Sequence, residues 1–395
     1  MWLIFIAAVA LGLVCLYAPG YLLARAFVTR VPALVCAPVI SLVEFNAVAI
    51  VYAQLGVFCS WASVVMPCAI LGIMALLARL FIAKKPSAPI SWGFGSPTLI
   101  AGRTVRHFDA IALVLFAAAS CFIALYVFAF NLYDLNSFVQ EYDNVNHLGL
   151  IRNHSESGNW SPFYNSMYFG SEGDAPLLAE GGGFYPSSWI LIATLIAQTF
   201  STQPAIAENA ANFLFVAFVY PWSMFGLLRC VFRARPLVAA CGSVCVLAFA
   251  AFPWRLMLFG PLYPNMAAYA LVPAVAMLFV VVFDIGATRS SRAVAGALAL
   301  VGVAALALTQ PNAVFTVALF LVPFCMYRCS LATDRFGLAG VKRAAARVAA
   351  STGFLLFAAL VWIALLNAPF LQGVLSEWWQ SYTGSLDAFL SALSL

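Results

Sequence analysis

Long apolar runs separated by short polar clusters make up most of this 395-residue chain. Crossing a hydrocarbon core of ~30 Å takes ~20 apolar residues, and that length predicts about ten helices. They fall near residues 2–19, 32–55, 60–83, 109–130, 204–229, 236–253, 266–286, 293–309, 312–327 and 348–366. One stretch departs from the pattern. From Gln140 to Trp189 the chain is polar and acidic, with Arg152 its one basic residue. It opens with Glu141-Tyr-Asp143-Asn-Val-Asn-His147, runs through Ser157-Gly-Asn-Trp160-Ser-Pro162 and closes on Gly181-Gly-Gly-Phe-Tyr-Pro186. The expected fold class is all-α, a polytopic transmembrane helical bundle that holds a long loop at one membrane face.

Composition agrees with this reading. With 65% hydrophobic and 8% charged residues and a mean hydropathy of +1.00, the chain cannot form a soluble globule with a polar surface. The net charge of +5 does not point to nucleic acid, because the basic residues sit in clusters between apolar runs, where they set orientation. With the first helix running from outside to inside, 17 of the 19 Lys and Arg residues lie on one face, and Arg152 and Arg255 on the other. The chain is therefore expected in the cell membrane, multi-pass, with the loop 131–187 extracytoplasmic. The apolar segment Ser187 to Phe200 is too short for a span, and making it one would reverse every later loop. It reads as a helix in the outer interface. The ten cysteines lie in or beside apolar runs and suggest neither a disulfide framework nor a metal site. The run from Met1 to Ala18 lacks a basic leader and reads as a retained helix.

Topology sets Arg255 on the same face as the loop, within Phe252-Pro-Trp-Arg255-Leu-Met-Leu-Phe-Gly-Pro-Leu-Tyr-Pro264. Gln310-Pro311-Asn312 breaks two further helices at that face. Non-helical backbone at membrane depth survives only where protein or water satisfies its polar groups, so these breaks predict an outward cavity. In the loop, Asp143 and His147 stand four residues apart and are neighbours on a helix. Spacing leaves three alternatives open. The pair is a general base with an orienting imidazole, or two metal ligands joined by Glu141 or His154, or part of a solvated helix with an ordinary capping carboxylate.

The order of Glu141-Tyr-Asp143, an amphipathic stretch, Ser157-Gly-Asn-Trp160 and Phe184-Tyr-Pro186-Ser-Ser-Trp189 resembles the first outer loop of the GT-C glycosyltransferases. The aminoarabinose and protein O-mannosyl transferases are similar there. Ala18-Pro19-Gly20-Tyr-Leu-Leu, Phe252-Pro-Trp, Gly260-Pro-Leu-Tyr-Pro264 and Gln310-Pro311 also resemble a group of mostly actinobacterial multi-spanning proteins. The resemblance implies a three-helix segment with a cytoplasmic linker (1–108), a seven-helix core (109–366) with an outer loop (131–203), and an outer C-terminal segment (367–395). Asp143 matches the catalytic carboxylate, Ser157 to Trp160 the turn, and Pro186 to Phe200 the second interfacial helix. The implied reaction moves a sugar, with inversion, from a polyprenyl-phosphate donor to an envelope glycan or protein acceptor, with membrane lipid as the other partner and neither metal nor cofactor. Arg255 is the first candidate to hold the leaving phosphate and Arg152 the second, and His147, Glu141, Tyr185 and Gln310 are further substrate-binding candidates. Three helices ahead of the loop depart from the family pattern. The end, from Glu377-Trp-Trp to Leu395, reads as the possible start of a further outer domain. A transporter or flippase of a lipid-linked precursor is the alternative, for which Glu44, midway along the second helix, is the residue of interest. Glu208, Asn209 and Asn212 line the cavity or else cap and bond helices to one another.

The orientation predicts that a membrane-impermeant thiol reagent labels a cysteine introduced at Ser171 but not one at Ser87. Labelling of the second site alone in intact cells overturns the topology.

Overall fold

A computed structural model describes residues 1–81, 89–96, 98–100, 103–164, 168–169, 177–178, 184–233, 235–258, 260–284, 286–368, 372, 384–387 and 390. Ser87, Ser171, Gly181 to Gly183 and Glu377 to Trp379 lie outside the described residues. Among the described residues, nine helices are long and apolar enough to cross a membrane, so the chain is an all-α, multi-pass membrane protein. All ten cysteines are free thiols.

The chain packs as two units, Met1–Val314 and Phe315–Leu395. In the first, α1 (Trp2–Arg25), α2 (Arg30–Leu55) and α3 (Trp61–Phe81) pack together. A hairpin of β1 (Thr98–Ile100) and β2 (Arg103–Val105) precedes α4 (Phe108–Val127). The acidic loop follows as α5 (Tyr142–Ser157), a second short hairpin of β3 (Tyr168–Phe169) and β4 (Leu177–Leu178), and α6 (Ser188–Phe200). α7 (Pro204–Leu214) and α8 (Tyr220–Val231) are one span joined by a π turn over Phe215–Val219. Pro221 has no N–H to give to Ala217, which accounts for the widened turn.

α9 (Pro236–Cys245) is shorter than the span expected over 236–253. Pro253 disfavours helical geometry at Phe252, which is extended at φ −134° and ψ 130°. The chain resumes as a π turn (Ala251–Arg255), α10 (Leu256–Leu258) and α11 (Tyr263–Val282). After α12 (Arg289–Thr309), Gln310 is extended before Pro311 for the same reason, and α13 (Asn312–Ala332) begins. The second unit holds most of α13 and α14 (Gly340–Leu366), with Asp334 between them bonded to Arg343 at 3.0 Å and Arg347 at 2.8 Å.

Where the sequence suggests a helix lying along the interface, α6 is enclosed. Ser188 to Ala197 are all buried, against α1, α5, α7 and α11. A helix apolar on every side gains most from burial on every side. Its start is fastened by Asn46 of α2, which donates to the Ser188 hydroxyl at 2.9 Å and accepts from that of Ser187 at 3.2 Å. α1 and α2 touch backbone to backbone at Gly20, whose N–H donates to the Ser41 hydroxyl at 2.9 Å. A Cβ on Gly20 would stand 2.1 Å from the Ala37 carbonyl oxygen, an atom that cannot swing aside. Gly20→Ala should therefore destabilise the protein by about 1–3 kcal/mol or more. Gly353→Ala, which meets nothing within 4 Å, should be neutral or slightly stabilising. Thermal unfolding in detergent reads both, and equal unfolding temperatures would contradict the close approach.

Candidate functional site

α5 starts from an extended Glu141 and carries Asp143 in its first turn, where the helix dipole favours a carboxylate. It stops at Gly158, which is left-handed at φ +66° and closes the helix by bonding its N–H to the His154 carbonyl. A Cβ there would also sit 2.2 Å from the Phe58 ring. The Trp160 indole donates to the same carbonyl at 2.9 Å. The Ser157-Gly-Asn-Trp turn is thus the device that locks the far end of α5.

One face of α5 points into the protein: Asn144, His147, Leu150, Ile151 and His154 are buried, while Val145 is exposed. Asn144 donates to the Val139 carbonyl at 3.0 Å and to Glu208 of α7 at 3.1 Å. Tyr263 lies beside the same Glu208 carboxyl. Asn209 donates to the carbonyls of Leu135 (3.0 Å) and Ser137 (2.7 Å), and Asn212 accepts from the Trp189 indole (3.0 Å). The polar side chains that open α7 therefore bind the acidic loop and α6 to the bundle. The His147 ring packs against Trp189 and Tyr263, with centroids 5.3 and 5.6 Å away. Burial drives both His147 and His154 down to about 4, so both are neutral. Among the described residues no hydrogen bond joins His147 to Asp143, and no three His, Cys, Asp or Glu side chains converge as a metal requires.

Asp143, one turn before His147 at the edge of the same face, is half-buried. Burial and then the charge of Glu141, which is exposed beside it, raise its carboxyl above the ordinary carboxylate range. Tyr185 is close enough for the Asp143 charge to add to burial in pushing its phenol up to about 12. Across from them is Gly260, left-handed at φ +65°, where a Cβ would lie 3.8 Å from Asp143 Oδ2. The exposed Arg255 stands five residues earlier on that segment, in the π turn. Met257 and Leu258 of the same segment border a cavity of about 230 Å³, lined mostly by apolar residues such as Val127, Phe128, Leu132 and Phe138, with Asn131, Ser137 and Asn209 among them, and reaching Tyr263. Asp143, Tyr185, Glu141 and the Arg255 segment are therefore one neighbourhood, with His147 beneath it.

Arg152 lies elsewhere. Nine residues on from Asp143, it is ~13 Å further along the helix at 1.5 Å per residue. It pairs with Glu156 at 2.8 Å and lines a separate cavity of about 400 Å³ with Gln198 and Thr202. Gln310 sits at the junction of α12 and α13. Glu44 is on α2 near Cys68 of α3, away from the α5 neighbourhood. The Glu208, Trp189 and Tyr263 cluster was not assembled from sequence; its signal is the Glu208, Asn209 and Asn212 triplet in an otherwise apolar helix.

The profile of a family of unknown function, DUF6541, matches residues 13–395. The chain belongs to that family. Neither a curated protein nor a solved structure matches it. In this DUF6541 chain the acid-bearing helix, the enclosed α6 and the Arg255 segment all fall within the matched residues.

The two neutral histidines have a consequence for stability. Each has a folded-state value below its ordinary ~6.5, so the stability it contributes is complete above pH ~6.5 and lost as pH falls toward 4, at roughly 1.4 kcal/mol per pH unit per group. The unfolding temperature should drop over that window, and His147→Phe with His154→Leu should flatten the profile. A profile unchanged by the double substitution would refute the buried, neutral assignment.

Proposed function

We propose that this protein is a membrane glycosyltransferase that moves a sugar from a polyprenyl-phosphate donor to a hydroxyl of an envelope acceptor at the outer membrane face. The observation that carries the reading is the Asp143 carboxylate, partly open and set against Gly260 of the segment that bears Arg255. The mostly apolar cavity bordered by Met257 and Leu258 of that segment is suited to the first isoprene units of a lipid donor. The likeness of the loop to GT-C enzymes lends further support.

In this mechanism the acceptor oxygen attacks the anomeric carbon while Asp143 takes its proton. The bond from that carbon to the phosphate oxygen breaks, the electron pair leaves with the phosphate, and one displacement gives inversion. A carboxyl raised above its ordinary value is a better proton acceptor than an exposed aspartate. Charge grows on the departing phosphate, and Arg255 is the guanidinium assigned to hold it. Tyr185 and Glu141 border the acceptor side and His147 packs behind them, while Gln310, at the junction of α12 and α13, has no part in this arrangement.

Asp143→Asn keeps the shape of the side chain but cannot take a proton, so transfer from polyprenyl-phosphate sugars should fall by ~10² to 10⁴ with donor binding retained. Glu141→Gln should cost much less. Near wild-type turnover in the Asp143→Asn protein would sink the mechanism. Arg255→Lys should keep part of the activity and Arg255→Ala should lose most of it, because a point charge survives only in the first. Equal rates for the two would remove Arg255 from the reaction.

A further inference from the structure

The bundle has a second polar cavity at the end opposite α5. α4 begins there and α8 ends there, whereas α5 follows the far end of α4 and bonds to the start of α7. About 460 Å³ in volume, this cavity is lined by Arg25, Thr29, Arg30, Arg106, His107 and Asp109, with apolar and backbone groups between them. Three arginines therefore line one space. The single acidic residue in the lining does not balance them, because Asp109 is already fully used. Its Oδ1 accepts from Arg229 Nε at 2.7 Å and its Oδ2 from the Gly95 N–H at 2.5 Å, and both partners of the ion pair are buried.

Neighbouring basic residues at this end show how the chain treats an arginine with a structural role. Arg229 has Asp109, Arg233 has Asp284 at 2.5 Å, and Arg292 donates to the Asp284 carbonyl at 2.9 Å. Arg25 gives one N–H to the Val28 carbonyl. Among the described residues no carboxylate pairs with Arg25, Arg30 or Arg106.

Two helix starts add to the positive field. Thr29 precedes the first turn of α2 and His107 that of α4, and neither side chain caps its helix. The N–H groups of Arg30 and Val31 in α2, where Pro32 has none, and those of the first turn of α4 have no side-chain cap from these residues. The Thr29 hydroxyl is buried and, among the described residues, has no hydrogen-bond partner, and Thr29 is one of the residues that line the cavity. A carboxylate ligand would be satisfied by one guanidinium. Three guanidiniums, a hydroxyl and two helix starts match a tetrahedral oxyanion with several oxygens to share. The site also sits where the ends of spanning helices meet the headgroup layer, the position at which basic pockets between helices take lipid phosphates.

We infer that this cavity binds a phosphate group, carried by an anionic phospholipid headgroup or by a soluble phosphate, through Arg25, Arg30, Arg106 and Thr29. The role is separate from the reaction proposed for the α5 end and does not depend on it.

The test uses the full-length protein in neutral detergent and reads thermal unfolding. One arm titrates inorganic phosphate against chloride at equal ionic strength. The other adds phosphatidic acid to the micelles against phosphatidylcholine. A saturable rise in unfolding temperature is expected in one arm or both, since a ligand that binds only the folded state stabilises it. A response to phosphatidic acid at far lower concentration identifies a lipid site, and a response to inorganic phosphate alone a soluble one. Arg30→Gln with Arg106→Gln, both exposed side chains, should raise the half-saturating concentration tenfold or more. Thr29→Val should raise it by a smaller factor. Arg289→Gln, exposed at the start of α12 and outside the cavity, should leave it unchanged. The inference is overturned if neither probe exceeds its control, if the double variant responds like the wild type, or if Arg289→Gln weakens the response as much as the cavity substitutions do.

Discussion

Glu208 is a buried carboxyl in the middle of an apolar bundle, and the position of the acidic loop depends on how it is satisfied. A polar group taken out of water without partners costs several kcal/mol, so the structure has to bring donors to it. Asn144 of α5 donates to it, and Tyr263 of α11 lies beside it. That hydrogen bond ties the first turn of α5 to α7, and the start of α11 packs next to it. Asp143 is adjacent to Asn144, and Gly260 lies three residues before Tyr263. The α5 side of the candidate site is thus tied to one carboxyl that takes no part in the proposed chemistry, and the Gly260 side runs close by it.

The opposite end solves a similar problem differently. There the buried carboxyl of Asp109 meets the guanidinium of Arg229, and the pair fastens the start of α4 to the end of α8. An ion pair neutralises itself and leaves its neighbours' charges uncancelled. A hydrogen-bonded carboxyl such as Glu208 organises side chains around it and adds little field of its own when protonated. One end of the bundle therefore gathers a polar scaffold under a single acid, and the other keeps a set of uncompensated cations.

Much of the fold was legible in the sequence because membrane spans announce themselves by length and composition. The helices near 2–19, 32–55, 60–83 and 109–130 appear with their ends moved by a few residues. The segment 236–253 misled because its hydropathy is that of a span, while α9 ends at Cys245 and Pro253 disfavours helical geometry at Phe252. α6 was legible as a short apolar helix, but its composition serves equally for an interfacial and an enclosed helix. Within the site, Asp143 could be singled out by its place after a span. The inward turn of His147 could not, since which face of α5 is buried depends on Trp189 and Tyr263, far along the chain. The meeting of Asp143 with Gly260 is of the same kind: nothing local to either residue encodes it. Arg152 shared a loop with Asp143 in sequence, yet helical rise alone carries it away.

The enclosure of α6 bears on how the molecule is made. Thirteen residues rise only ~20 Å, less than the hydrocarbon thickness, so this helix cannot be handed to the bilayer as a span in its own right. It has to wait at the surface until its walls exist, and one of those walls, α11, is translated well after it. α5, which packs on α6, waits with it. The ribosome thus emits the acidic loop early, but the loop takes its final form late. Quality control during biogenesis would meet this region as one that becomes protected well after it is made.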